Sequence, residues 1–274
     1  MRGLSISAAW EETRDILARD GRLLTTVALA LIALPAAVNT LINPGGINAV
    51  STPLWMLGVA VVAYLIALAG QLSLIRLALG PSVTVGAAIA HGVRRLPIYI
   101  AGVLLIVIFL FLVLVILGTV LTALGVHVQP QVTAQMNPAS LVAGLLFLAI
   151  LIFLFVRMVL SAPVASAEPV GPIAILRRSW QLTEGHWWRL FGFLFIFFLG
   201  AGIIVFAIAS AAGVVVGLLI GKVQPMSAAA LVLALIDALV STAITTVFAV
   251  MLARIYLQLA GRSGVQPSVP SSGM

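Results

Sequence analysis

The chain contains no cysteine. Disulfides, thiolate nucleophiles and cysteine-based metal sites are therefore excluded. Charge is nearly as scarce, since only 8% of the 274 residues are Asp, Glu, Lys or Arg, against about 25% in a soluble domain. Lysine is reduced to Lys222, and the three histidines (His91, His127 and His186) lie far apart. No His/Asp/Glu cluster has metal-ligand spacing, no glycine-rich phosphate loop occurs, and no G-x-S-x-G elbow is present. These absences leave no catalytic constellation and imply no metal and no other cofactor. What remains is hydrocarbon: 63% of the residues are hydrophobic. A chain this apolar cannot cover itself with polar groups, so its solvent is largely lipid. The unit to count is then the membrane span, about 20 residues for a hydrocarbon core of about 30 Å.

Six apolar stretches meet that length, at residues 23–42, 54–79, 97–124, 140–160, 190–220 and 227–259. Backbone amides cannot go unpaired in lipid, and no alternating pattern suggests a barrel, so each span is expected to be helical. Pro35 is expected to kink the first. The fold class is all-α, a single six-helix transmembrane domain over residues 1–260. The tail 261–274 (GRSGVQPSVPSSGM) has too little apolar surface to order itself.

Charge sets the orientation. The connections at 43–53 and 125–138 carry no Arg or Lys, and the turn at 221–226 carries only Lys222. Every arginine falls at the opposite ends of the spans. The positive-inside rule places that side, with both termini, in the cytoplasm. Abundant Ala, Gly and Val with arginine in place of lysine points to a bacterial cytoplasmic (inner) membrane. The net charge of +7 is accounted for by anionic headgroups rather than by nucleic acid.

Three cytoplasmic segments have the pattern of short amphipathic helices lying in the interface. In 5–20, Ile6, Trp10, Thr13 and Leu17 share a face, and Gly21 is expected to end the helix. In 82–96, Val85, Ile89 and Val93 align, with Arg94 and Arg95 closing the last turn. In 172–184, Ile173, Leu176, Trp180 and Thr183 align, Pro172 suits the first helical position, and Gly185 stops the helix. Arg177 and Arg178 are expected to point toward headgroups. The order is thus interfacial helix, span, span, three times. A shift of 91 residues lays Gly80-Pro81 on Gly171-Pro172, which suggests an internal threefold repeat.

The candidate site residues fall into two groups. Arg76, Arg157 and Arg254 each lie near the cytoplasmic end of an even-numbered span. They form either a guanidinium ring for a phosphate-bearing lipid or three snorkelling side chains. Arg94, Arg95, Arg177, Arg178, Trp180, Trp187, Trp188 and Arg189 join them as candidate headgroup contacts, the tryptophan pair marking where span five enters the membrane. The second group is Asp237, the one acid inside a span, with Ser241 and Thr245 on its face. Such a carboxylate marks an ion or proton path, or is a protonated acid bonded to neighbouring helices. Gly213, Gly217 and Gly221 offer a close-approach face, for a second copy or for an internal contact.

The stretch 163–192, PVASAEPVGPIAILRRSWQLTEGHWWRLFG, resembles the membrane domain associated with glycerophosphoryl diester phosphodiesterases and related six-span bacterial inner-membrane proteins. Arg178-Ser179-Trp180 and Leu182-Thr183-Glu184-Gly185 are the most specific part. The six-span layout agrees over nearly the full length. In that family a separate soluble barrel holds the catalytic residues, and this chain has no room for one. The resemblance therefore implies a non-enzymatic module, phospholipid-associated or supporting a membrane partner in envelope or lipid metabolism, alone or as a homo-oligomer. The alternative drawn from Asp237 is a small transporter or channel.

Overall fold

The computed structural model describes residues 5–42, 53–80, 83–123, 138–221, 224 and 226–261. Lys222, His127, Arg262 and nearly all of the tail lie outside them. Among the described residues every regular element is helical, and six helices are long and apolar enough to cross a membrane.

The first helix, α1 (Ile6–Ala28), is capped by the Ser5 hydroxyl, which accepts from the Ala8 amide at 3.2 Å. Gly21 does not end it. A mid-helix glycine costs only about 1 kcal/mol against alanine, and the helical hydrogen bonds run through it. The kink expected at Pro35 is instead absorbed as a π-turn at Leu29–Ala33, where the Leu34 amide bonds the Leu29 carbonyl. Proline cannot donate to the preceding turn, and a π-turn is one way a helix accommodates the missing bond. The helix resumes as α2 (Leu34–Ile42), giving one continuous rod.

The same correction applies to the second segment. Helix α3 (Leu54–Leu79) keeps the expected bounds, but α4 (Val85–Ala123) runs unbroken through Arg94, Arg95 and Pro97. The arginines therefore sit mid-helix, not in a last turn. Only the third segment stands alone, as α7 (Pro172–Thr183). Pro172 occupies its first turn and Gly185, at φ +75°, ends it in the left-handed region that glycine tolerates.

Span four begins and ends two residues earlier than expected. Helix α5 (Pro138–Met158) ends, and after a turn the chain forms α6 (Ser161–Ala167), an element absent from the sequence reading. Six of its residues are buried. Its small side chains let it pack among α3, α4 and α7. Helices α8 (Trp187–Leu219) and α9 (Ala228–Ala260) complete the chain.

Helix α9 occupies the middle, against α1, α2, α3 and α8, and α3 lies beside it against α2, α4 and α6. Small residues let these helices approach closely. A Cβ on Gly70 of α3 would stand 2.8 Å from that of Leu31 in the first rod, and α9 buries Ala230, Ala234, Ala238, Ala249 and Ala253. The outer faces of α4, α5 and α8 stay uncovered: Phe206 is 74% and Leu218 81% exposed. Lipid tails match such surfaces, as water cannot.

Candidate functional site

The arginine-rich end of the bundle is where the polar chemistry gathers. Each of the three segments named above presents a pair of small buried residues, four positions apart, to the end of an even-numbered span. On α1 they are Ala9 and Thr13, and Thr13 Oγ1 reaches Met251 Sδ of α9 at 3.5 Å. On α4 they are Ala88 and Gly92, with Gly92 seated on Ala69 and Ser73 of α3. On α7 they are Ser179 and Thr183, and the Ser179 hydroxyl donates to the Arg157 carbonyl of α5 at 2.8 Å.

Arg157 and Arg254 each have partners of their own at these contacts, and Arg76 follows Ser73 by three residues on α3. Arg254 donates to the Ala78 carbonyl at 3.0 Å and faces Glu12 of α1 at 4.0 Å. Arg157 bonds the Trp180 carbonyl at 3.4 Å, with its guanidinium carbon 4.8 Å from the Trp180 ring and 5.4 Å from that of Phe153. This is a cation–π clasp between α5 and α7. Arg76 is half-buried and makes no hydrogen bond or ion pair among the described residues.

Arg178 turns inward rather than toward headgroups. Its Nε donates to Glu168 Oε1 at 3.1 Å, and the Tyr256 hydroxyl of α9 donates to the same oxygen at 2.8 Å. Both charged side chains are less than one-fifth exposed. Glu168 follows α6, so this junction ties α6, α7 and α9 together. Beside it the Ser166 hydroxyl donates to the Leu72 carbonyl at 3.2 Å, and His91 Nε2 donates to the Ser166 carbonyl at 2.9 Å. Sequence reasoning missed Glu168 and Tyr256. The available signal was a lone acid in an apolar stretch ten residues from paired arginines, which a buried carboxylate needs as counter-charge.

The aligned apolar face of α7 is only partly covered by the protein. Ile175, Ser179 and Leu182 are buried with Thr183, whereas Ile173 and Trp180 face outward. Arg177 is exposed among them, and with Met158 of α5 they line a hollow of about 410 Å³. Arg94 and Arg189 are likewise exposed, Arg95 half-buried, and none of these has a polar partner among the described residues. Trp187 packs inward, stacked on Phe191 at 5.2 Å and against Phe153 of α5, whereas Trp188 is 77% exposed.

Asp237 stands apart from all of this. It is exposed beside a cleft of about 180 Å³ that Thr40 and Gly213 also line. Ser241 and Thr245 are half-buried, and the buried hydroxyls of α9 belong instead to Thr242 and Thr246. Among the described residues no second acid, and no histidine or arginine, lines that cleft. A charge at mid-span costs roughly 2.5–3.5 kcal/mol on insertion scales, and no counter-charge among the described residues offsets it. Asp237→Asn is therefore expected to be at least as stable as wild type in reversible detergent unfolding. A loss above about 1 kcal/mol, beyond the usual range for an unpartnered surface site, would assign the carboxylate a structural bond. Among the described residues nothing lies within 4 Å of a Cβ built on Gly213 or Gly217, so neither glycine is required for a close helix approach. No group of three or more His, Cys, Asp or Glu that could hold a metal ion is present among the described residues.

No curated protein and no solved structure matches the chain. The one assignment comes from a family model described as a domain of unknown function (DUF7847), which matches residues 4–259, and the chain belongs to that family.

Proposed function

We propose that the protein is a non-enzymatic module of a bacterial cytoplasmic membrane that binds anionic phospholipid at its arginine-rich, cytoplasmic end. The observation that carries this reading is the hollow beside α7. There an exposed guanidinium without a counter-ion (Arg177), an indole (Trp180) and apolar side chains (Ile173, Leu176, Met158) share one wall. That order of groups suits a phosphate, an interfacial glycerol layer and the start of an acyl chain. Arg94 adds a second unpaired cation at the same end. Arg157, Arg178 and Arg254 serve the scaffold that holds these groups in place.

Two further observations support the arrangement. The three small-residue contacts, each beside an arginine, fit a threefold repeat in which a surface segment seats on the end of an even-numbered span. Ala88 and Gly92 map onto Ser179 and Thr183 by the same 91-residue shift that aligns the two Gly-Pro pairs. The likeness of residues 163–192 to the membrane domain associated with glycerophosphoryl diester phosphodiesterases favours a place in envelope or lipid metabolism, beside a membrane partner.

Native mass spectrometry with mixed phosphatidylglycerol and phosphatidylcholine tests the reading. Each surface arginine near anionic lipid is worth about 1 kcal/mol. The double variant Arg94→Ala/Arg177→Ala is therefore expected to lose up to about thirtyfold in preference for the anionic lipid. Equal preference in wild type and variant would refute the proposal.

A further inference from the structure

A lateral groove of about 920 Å³ runs between α8 and α9, closed at the arginine-rich end by the first turns of α1. Its walls are apolar along their whole length. The concavity comes from small residues: Gly192 and Gly200 on α8 and Ala243 on α9. A Cβ built on either glycine would meet nothing within 4 Å, so the protein's own side chains do not fill the space in front of them. On the α9 wall the groove extends from Val240 to Met251, about 16 Å at ~1.5 Å per residue. One leaflet of a bilayer core of about 30 Å has that depth.

Polarity is confined to the mouth. Arg189 is the only ionised side chain on the groove, and it has no hydrogen bond or ion pair among the described residues. Trp10 and Trp188, 45% and 77% exposed, flank it. Of the two acids following Trp10, Glu12 faces Arg254 instead, and Glu11 is exposed and does not line the groove. A cation, two indoles and then an uninterrupted hydrocarbon wall follow the order of phosphate, glycerol layer and acyl chain in a phospholipid.

We infer that this groove seats one anionic phospholipid, with an acyl chain along α8 and α9 and its phosphate at Arg189. The inference deepens the lipid-binding reading above and rests on it for the sign of the headgroup. It uses none of the residues of the α7 hollow. Its occupant differs from a loosely exchanging surface lipid because the acyl chain lies between the walls of α8 and α9, with α1 closing one end.

The full-length protein in mild detergent, supplied with phosphatidylglycerol or phosphatidylcholine, provides the test by native mass spectrometry through successive delipidation. Wild type is expected to retain one phosphatidylglycerol after the other lipids are lost. Gly200→Leu and, separately, Ala243→Leu fill the groove and are expected to lower that occupancy at least tenfold, while the melting temperature shows that each variant folds. Arg189→Gln keeps the groove and is expected to cut the preference for the anionic lipid about fivefold, the equivalent of one surface charge. Unchanged occupancy in both filling variants overturns the inference. So does efficient disulfide dimerisation of Gly200→Cys in this cysteine-free chain, because a second copy would then occupy the groove. If the Arg94/Arg177 variant alone loses lipid preference, the groove is refuted and the reading of the cytoplasmic face stands. If the filling variants alone lose the retained lipid, the groove stands and that reading of the face falls.

Discussion

Glu168→Ala is expected to destabilise the protein by roughly 3–5 kcal/mol, the cost of removing one partner from a buried ion pair. The reason lies in what stays behind. Arg178 would keep its guanidinium in place without a counter-charge, and its Nη2 already lacks a hydrogen-bond partner among the described residues. The Tyr256 hydroxyl would lose the acceptor it now reaches at 2.8 Å. Tyr256→Phe removes only that bond and should cost about 1 kcal/mol. The pairing of Glu168→Met with Arg178→Leu replaces both charges by apolar groups of similar size, and most of the loss should be recovered, since a buried pair often gains little over a hydrophobic one. Reversible unfolding in mixed micelles measures all three. A Glu168→Ala loss below about 1 kcal/mol would mean that water reaches the junction and screens it.

Gly92→Val is the second large effect. At Gly92 a Cβ would stand 2.7 Å from the Ala69 carbonyl oxygen and would collide with the Ser73 hydroxyl. One obstacle is backbone, which cannot rotate away, so α4 must lift off α3. Overpacking of this kind costs typically 1–3 kcal/mol and occasionally more. Alanine at Gly92 should fall within that range and valine at its upper end or beyond. Gly86 of the same helix is the control, because nothing lies within 4 Å of a Cβ there. Gly86→Ala should be neutral or stabilising by up to about 1 kcal/mol. If the two alanine variants unfold alike, α3 and α4 are not in the close contact described.

The spans were legible because lipid imposes one rule, about 20 apolar residues with paired backbone. Leu54–Leu79 and Ala228–Ala260 came out within a residue of their expected limits. The ends of the surface segments were not legible. Gly21 and Pro97 are punctuation in water, but Gly21 keeps its helical hydrogen bonds, Pro97 removes only one or two, and a helix continuing into lipid keeps all the rest. Gly185 did act as a stop, because there the chain must turn before Trp187 and adopts φ +75°. Helix α6 escaped notice because SAPVASA is short, and its small residues carry no periodic signal. Its role is to be thin.

The site was legible by residue type and not by direction. Arginine and tryptophan at span ends were identified, yet nothing in Arg177-Arg178 says which side chain faces out. The answer depends on Glu168, ten residues away in sequence, and on Tyr256 at the far end of the chain. Asp237 illustrates the converse. Its rarity made it conspicuous, and among the described residues no second titratable group lines its cleft.

Helix α9, the last of the described helices in chain order, sits in the middle of the bundle, packed on α1, α2 and α3. Biosynthesis must therefore insert most of the chain before the fold can close. Until α9 joins the bundle, Glu12 lacks Arg254 and Glu168 lacks the Tyr256 hydroxyl. Chains truncated ahead of Ala228 would lack both partners, together with the surface on which α1, α2 and α3 pack.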